Sequence, residues 1–169
     1  TDRTDIIVRV GRRTSARSGV DPTTGEPSYV AGVWWPTEAV VELDGTYVED
    51  GTDLSGVDFT DLRTLVKLAV ILGVAVHEGG HVLHTVWDWD QISALEPRLR
   101  EVVKLLEESR MERQRVMARP SSARWLRAAL SRILLSDIDE APKAHMNAGR
   151  VAALVLARVD NGVLSLSDV

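Results

Sequence analysis

The pentapeptide His77-Glu78-Gly79-Gly80-His81 constrains this chain more than any other feature of its sequence. It has the form H-E-x-x-H, and on a helix its two histidines project from the same face, roughly 6 Å apart. Both imidazoles can then bind one tetrahedral Zn²⁺, to which histidine nitrogens lie at about 2.0–2.1 Å. Glu78 lies between them, where its carboxylate can act as a general base on a metal-bound water. The pattern is the signature of zinc metallopeptidases.

The residues around the motif predict the helix that this chemistry requires. Apolar side chains recur at three- and four-residue steps over residues 61–86 and cover nearly every face of the middle, which predicts a buried helix. Asp58 or Thr60 is expected to cap its start, and residues 87–90 to end it. Gly79 and Gly80 each cost about 1 kcal/mol relative to alanine inside a helix. Small residues beside a metal do, however, leave room for substrate or water.

A catalytic zinc site of this kind needs a third protein ligand. The metzincin arrangement is excluded, because it requires a glycine at position 84 and a histidine at position 87, where this chain has His84 and Trp87. The alternative is a carboxylate from a second helix. Residues 105–113 read LLEESRMER, a helical pattern in which Glu107 and Glu108 are adjacent, so that at least one can face the metal. Acids so close to arginines are also typical of a solvated, salt-bridged face.

The two segments together resemble a known family. HEGGHVLHT followed by a helix carrying LLEESRMER is similar to the gluzincin-type zinc peptidase domains of phage and actinobacterial proteins, which often accompany a von Willebrand A-type domain. Those domains have H-E-x-x-H and then a second helix of the form N-x-x-E-D-x-R-[IV]-E. Lys104 and Glu108 replace the asparagine and the aspartate of that pattern. The resemblance is specific over residues 77–113.

The resemblance implies a zinc site whose three ligands are His77, His81 and Glu107. Arg110 and Glu112 match the family's arginine and its last glutamate, and they are expected to orient the ligands. Glu108 remains open as the third ligand instead of Glu107. In other gluzincins an acid that supports the ligands follows the third ligand by four residues, which favours the pair Glu108 and Glu112.

A peptidase of this class also needs a donor opposite the zinc to stabilise the negative charge of the tetrahedral intermediate. No residue is placed there by its spacing in the sequence. The candidates are His145, Arg150, Tyr29 and Tyr47. His145 ranks first because it belongs to a last helix, predicted over residues 143–159, that is expected to return to the core.

The chain before the motif predicts a small sheet. Strand patterns occur at residues 6–10, 29–30, 33–35, 39–43 and 46–48, and Asp44-Gly45 between the last two is typical of a hairpin turn. We therefore expect an α+β, zincin-like fold. It has a small N-terminal antiparallel sheet within a β-rich part (residues 1–57), then a mainly helical part (residues 58–169) with the metal between two helices. Residues 1–169 form one domain in this prediction, and the missing initiator methionine indicates a fragment of a longer protein. In the family that the chain resembles, an edge strand of such a sheet pairs with the substrate backbone.

Composition limits the partners and the location. Cysteine is absent, which excludes a disulfide framework, a thiolate metal site and a cysteine nucleophile. The net charge of −5 and the pI near 5.4 argue against a dedicated nucleic-acid-binding protein. No signal peptide is recognisable, and no apolar run reaches the roughly 18 residues of a membrane span. We therefore expect a cytoplasmic protein that binds neither nucleic acid nor membrane.

The sequence thus predicts a zinc-dependent peptidase, an endopeptidase, that hydrolyses protein or peptide substrates with Glu78 as the general base. A von Willebrand A-type domain or a partner protein is the expected associate. Two alternatives stay open. One is a binding or adaptor module in which the metal only joins helices, and Glu78 discriminates against it because a structural zinc has no use for that carboxylate. The other is a helical partner-binding protein without metal. A site of two histidines and a carboxylate also suits other divalent ions.

Overall fold

The first part of the chain consists of short strands, and the rest is almost entirely helical. The computed structural model describes residues 5–20, 25, 27–48, 54, 56–135 and 148–168. Its strands are β1 (Ile7–Gly11), β2 (Arg17–Val20), β3 (Pro27–Tyr29), β4 (Gly32–Trp35) and β5 (Val40–Asp44). Its helices are α1 (Leu62–Lys67), α2 (Ala69–His84), α3 (Trp89–Ala94), α4 (Pro97–Ala118), α5 (Ser122–Leu130) and α6 (Ala148–Asp160). The predicted α+β class is confirmed.

The main sheet is mixed, so the prediction of an antiparallel sheet is wrong. Its strand order is β1-β5-β4. β4 and β5 run antiparallel, with Trp35 opposite Val40, whereas β1 runs parallel to β5, with Ile7 opposite Val40. A parallel pair needs a long connection, and residues 12–39, which include the separate antiparallel pair β2–β3, provide it. The alternation of apolar and polar residues indicates a strand but does not show which distant strand it pairs with, or in which direction.

Asp44-Gly45 does not form the predicted hairpin. The Asp44 carboxylate accepts hydrogen bonds from the backbone N–H of Thr46 at 2.8 Å and from its hydroxyl at 2.7 Å. An aspartate that bonds its own backbone two residues on stabilises a tight local turn. The chain accordingly enters a short 3₁₀ helix, Gly45–Tyr47, instead of a further strand.

The predicted motif helix is divided in two. α1 ends at Lys67 and α2 begins at Ala69, while Leu68 between them leaves helical geometry, with φ −96° and ψ 1°, and is buried. The cap is Asp61 and not Asp58 or Thr60, since its carboxylate accepts hydrogen bonds from the backbone N–H groups of Arg63 and Thr64. The break between α1 and α2 lets Leu68 pack in the core. The sequence did not predict this break, because the pattern is apolar on nearly every face of the helix.

The later helices agree in part with their patterns. α4 begins at Pro97, which is tolerated in the first turn of a helix. α5 ends at Leu130, and a π-helical turn, Ser131–Leu135, follows it. α3 was not predicted. α6 ends at Asp160, one residue past the predicted end at 159, and Gly162 with φ 77° follows it, whereas the predicted start at residue 143 lies outside the described residues.

The hydrophobic core lies between the main sheet, α2 and α5. Its buried members are Val41, Leu43, Leu68, Ile71, Val74 and Ala129. β5 contributes the first two of these residues and α2 two others, so the sheet packs directly on the helix that carries the motif. None of the helices described here combines the length and the apolar composition that a membrane crossing requires.

Candidate metal centre

Two helices bring three potential ligands together. His77 and His81 lie one turn apart on α2, with ring centroids separated by 4.9 Å. α4 places the Glu108 carboxylate against them, 3.0 Å from Nε2 of His77 and 3.5 Å from Nε2 of His81. One ligand atom from each residue lies within 4.8 Å of the others, and no second group of this kind occurs in the described part of the chain.

The donor set fits a tetrahedral zinc ion. Bonds of about 2.0–2.1 Å to a tetrahedral centre put neighbouring ligand atoms about 3.3 Å apart. The distance from Oε2 of Glu108 to Nε2 of His77, 3.0 Å, and that from Oε1 of Glu108 to Nε2 of His81, 3.5 Å, both lie near that value. Two imidazoles and one carboxylate are also a ligand set that zinc uses in catalytic sites, where a fourth position stays open.

Glu107 faces a different set of partners. Its carboxylate accepts hydrogen bonds from Nε and Nη2 of Arg110, both at 2.6 Å, and the same guanidinium donates to the carbonyl oxygen of His84 at 2.6 Å. Adjacent residues of a helix differ by about 100° in direction, so only one of two neighbouring glutamates can face α2 squarely. The geometry favours Glu108 over Glu107 as the third ligand.

Each histidine is held through its other ring nitrogen. Nδ1 of His77 lies 3.0 Å from Oε1 of Glu112, and Nδ1 of His81 lies 2.9 Å from the hydroxyl of Thr85. A carboxylate can only accept, so His77 donates its Nδ1–H to Glu112. Nε2 of both rings thereby faces Glu108. Partners of this kind fix the tautomer and the orientation of metal-binding imidazoles.

The support of His81 extends to the predicted residues Glu107 and Arg110. The Thr85 hydroxyl hydrogen-bonds to the Glu107 carboxylate, so it donates there and accepts from His81. Burial raises the pKa of Glu107, but hydrogen bonds from Arg110 and Thr85 outweigh it and lower this pKa below its usual value. Glu107 and Arg110 therefore support His81 through Thr85. Glu107 was predicted to bind the metal directly.

The contacts that support His77 run through Glu112 to Arg158, a residue that was not predicted from the sequence. Glu112 is completely buried, at 0% exposure, and Oε1 of its carboxylate also accepts a hydrogen bond from Nη2 of Arg158 at 3.0 Å. Arg158 belongs to α6 and is 4% exposed. The position of Arg158 within the apolar run of α6 could have indicated its role, because a buried arginine is normally paired with an anion.

Glu78 is buried beside the two histidines, at 7% exposure. Burial raises the pKa of Glu78 above its usual value, although the charges of His77 and His81 and a hydrogen bond from the backbone N–H of Trp34 oppose this rise. β4 approaches Glu78 so closely that a Cβ atom at Gly32 would lie 2.9 Å from Cγ of Glu78 and 2.5 Å from Val74. Glycine at position 32 therefore lets the strand reach the site.

The charges of the ligand group depend on one another. Burial lowers the pKa of His77, but hydrogen bonds to Glu108 and Glu112 outweigh it and raise this pKa well above its usual value. Burial raises the pKa of Glu108, whereas hydrogen bonds to His77 and His81 hold it well below its usual range. Glu108 is thus a carboxylate anion at neutral pH, as a metal ligand must be.

The three candidate ligands and Glu78 line a cleft of about 600 Å³. One wall is β4, an edge strand of the main sheet, and the other is the C-terminal end of α2 with Val86 and Trp87. A second recess of about 220 Å³ shares Gly32, His77 and Glu78 with this cleft. It is closed mainly by aliphatic side chains of α5 and the π-helical turn, and Glu112 and Arg158 also line it.

The two motif glycines have different surroundings. A Cβ atom at Gly80 would collide with the Sδ atom of Met111, a completely buried residue of α4. At Gly79 an added Cβ would meet no atom within 4 Å. Gly80 therefore allows α4 to approach α2, which brings Glu108 to the histidines, whereas only Gly79 leaves the free space that we expected of both.

None of the predicted oxyanion donors is placed at the cleft by the described residues. Tyr29 lies in β3, where the guanidinium of Arg13 lies 5.1 Å from its ring centroid, and Tyr47 lies in the 3₁₀ turn after β5. Neither is among the described residues that line the cleft. His145 lies outside the described residues, and Arg150 belongs to α6 but its side chain is not described.

Compared with known protein-family models, with curated proteins and with solved structures, the chain gives no match in any of the three. The resemblance to gluzincin-type domains therefore stays a prediction, and a functional assignment has to rest on the geometry of the site.

Proposed function

We propose that this chain is a zinc-dependent peptidase whose metal is held by His77, His81 and Glu108. The observation that carries the proposal is the convergence of two imidazole Nε2 atoms on one carboxylate, at 3.0 and 3.5 Å, with a buried glutamate next to them. A site that served only to join helices would have no role for Glu78. The zincin-like fold, the association with a von Willebrand A-type domain and the cytoplasmic location belong to the same proposal.

In this mechanism zinc, when bound, supplies Lewis acidity that polarises the peptide carbonyl and acidifies a water molecule. Glu78 accepts the proton of the attacking water on its carboxylate and donates it to the leaving amine nitrogen. Its environment suits both steps, because burial brings its pKa closer to neutral pH and the N–H of Trp34 holds the carboxylate in place. Glu112 and Thr85 keep the imidazoles aligned while the proton moves.

The proposed substrate is an extended stretch of polypeptide. β4 borders the cleft and is the edge of its sheet, so it can pair with a substrate backbone as an added strand. Pairing of this kind binds main-chain atoms and gives affinity with little selectivity for sequence. An edge strand can pair with an internal segment of a chain as readily as with its end, so an endopeptidase is part of the proposal.

The test compares metal content and hydrolysis in three proteins. Elemental analysis after exhaustive dialysis without chelator should find about one zinc per chain in the unchanged protein, as one set of three ligands predicts. Glu78→Gln should keep the zinc and lose the hydrolysis of an unfolded protein substrate, measured by release of new amino termini. His81→Ala should lose both. Less than roughly a tenth of an equivalent of metal, with none taken up on adding zinc, would contradict the proposal.

A binding module joined by metal is the second candidate. It is favoured by one observation, that the described residues lining the cleft include no tyrosine, lysine or arginine for the oxyanion. In such a module the unchanged protein and Glu78→Gln would both bind the metal, and neither would hydrolyse the substrate. The three-protein comparison therefore separates the two candidates.

A further inference from the structure

One carboxylate oxygen connects three helices at the candidate metal centre. Oε1 of Glu112, on α4, lies 3.0 Å from Nδ1 of His77 on α2 and 3.0 Å from Nη2 of Arg158 on α6. Glu112 is 0% exposed and Arg158 4%, so this contact is shielded from bulk solvent. Among the described residues, Arg158 is the cation that forms an ion pair with Glu112 apart from the histidine itself.

This arrangement makes Arg158 the cation in direct contact with Glu112 once a metal is bound. A metal-binding imidazole is neutral, so His77 then offers Glu112 only a hydrogen bond and no compensating charge. A buried carboxylate without a cation is strongly unfavourable, and it relaxes by turning toward any available water. The recess of about 220 Å³ beside Glu112 and Arg158 provides the space for such a rotation. His77 would then lose the acceptor that orients it.

The backbone of Arg158 is fixed independently of this ion pair. Its carbonyl oxygen accepts hydrogen bonds from the N–H groups of Val163 at 3.0 Å and Leu164 at 2.9 Å, both of which are buried. Oε2 of Glu112 and Nε of Arg158 have no hydrogen-bond partner among the described residues. The direction of the Glu112 carboxylate thus depends on the two contacts of Oε1, one with His77 and one with Arg158.

We propose that Arg158 is a positioning residue of the metal centre, which holds the Glu112 carboxylate on Nδ1 of His77 and thereby strengthens metal binding. α6 is on this account a part of the metal centre, although it contributes no ligand. The inference rests on the proposed zinc site, but its readout is metal affinity and does not require peptidase activity.

The experiment measures zinc affinity by competition with a chromophoric chelator, and the visible absorption of the Co²⁺-substituted protein. Arg158→Met should weaken zinc binding by about 10- to 100-fold and alter the Co²⁺ spectrum, as the loss of an outer partner of a metal-binding histidine does. Arg158→Lys, which can still donate to Glu112, should recover a part of the affinity.

Arg127→Met is the matched control. Arg127 also anchors the end of the chain, since its Nε donates to the carbonyl of Val163 at 3.0 Å and lies 3.4 Å from the Asp168 carboxylate, but it makes no contact with Glu112. This variant should unfold at a lower temperature while its zinc affinity and Co²⁺ spectrum stay unchanged. An equal loss of affinity in Arg127→Met would overturn the proposal, because a general loosening of α6 would then suffice.

A double-mutant cycle covers the case in which Arg158→Met alone does not fold. In the Glu112→Gln background Arg158 no longer has a carboxylate to hold at position 112, so adding Arg158→Met should cause no further loss of zinc affinity. A further loss of tenfold or more in that background would refute an action through Glu112. If the unchanged protein binds no zinc, the proposed function fails and this inference with it. If it binds zinc and folded Arg158→Met binds it equally well, only this inference fails.

Discussion

The two adjacent glutamates of α4 show what a single residue contributes to the candidate site. Glu108 contacts both imidazoles, and Glu107, one residue earlier, contacts Arg110 and Thr85. The sequence could place both on the second helix, but not decide between them. That decision depends on how α4 is rotated about its axis, and this rotation is set by Met111 against Gly80, a contact between distant segments.

The exchange of each glutamate for glutamine should separate a ligand from a supporting residue. Glu108→Gln replaces the proposed anionic ligand by a neutral amide, so zinc affinity should fall by more than the roughly 100-fold that the loss of an outer partner can cause. Glu107→Gln removes only an outer partner of His81, and the fall should stay within about 10- to 100-fold. Chelator competition measures both. The reverse order of the two losses would restore Glu107 as the ligand.

Zinc binding should release a proton near neutral pH. Hydrogen bonds to Glu108 and Glu112 outweigh the effect of burial and raise the pKa of His77 well above its usual value, so the metal-free protein holds this proton at pH 7. Zinc takes the neutral imidazole, and its affinity should therefore rise with pH up to that raised pKa.

Calorimetric titration at pH 7 in two buffers of different ionisation enthalpy measures the released protons. About one proton per zinc is expected from the single raised histidine pKa. A binding enthalpy that is the same in both buffers would contradict the assignment. Glu112→Gln is the informative variant, since it replaces a charged acceptor of His77 by a neutral one, which lowers the pKa of His77 and should reduce the release.

At the scale of elements, the site depends on how closely its neighbours approach α2. α4 reaches it at Gly80 and β4 at Gly32. The periodicity of the sequence predicted the helices that carry the site, α2 and α4, because each presents apolar residues at helical spacing. It did not predict α3, the break at Leu68 or the parallel pairing of β1 with β5, since these follow from packing between segments that are far apart in the chain.

The two glycines of the motif provide a matched pair of substitutions. Gly80→Ala forces a Cβ against the buried Sδ of Met111, and overpacking of this kind costs about 1–3 kcal/mol of stability. Gly79→Ala meets no atom within 4 Å, so the better helix propensity of alanine should stabilise the protein by up to about 1 kcal/mol. Urea unfolding of the metal-free variants measures both changes. Equal effects of the two substitutions would show that α4 does not pack on Gly80.

At the scale of the whole molecule, the sequence predicted the class of the fold and the order of its parts. The strands come first and the helices follow, because alternation of period two gives way to helical spacing near residue 60. The mixed sheet and the role of α6 at the metal centre were not predictable in this way. Both depend on contacts between residues separated by dozens of positions, such as Ile7 with Val40 or Glu112 with Arg158.

Removal of the metal should destabilise the whole fold, because the proposed ligands join α2 to α4. A ligand at 100 times its dissociation constant stabilises the folded state by about 2.7 kcal/mol. For a chain of this length, that corresponds to a rise in melting temperature of roughly 5–10 °C. Differential scanning calorimetry with zinc and with excess chelator measures this change. Glu108→Gln should show little of it, and an identical melting temperature in both conditions for the unchanged protein would count against a metal shared by the helices.

The contact between Glu112 and Arg158 also sets an order of events during synthesis. The ribosome makes His77 and His81 first, then Glu108 and Glu112, and Arg158 only near residue 160. On the proposed role of Arg158, a growing chain with both histidines still binds metal weakly, and tight binding follows only when α6 has been made and has packed. The proposed metal centre would therefore be completed well after its two histidines have left the ribosome, once Arg158 reaches the Glu112 carboxylate.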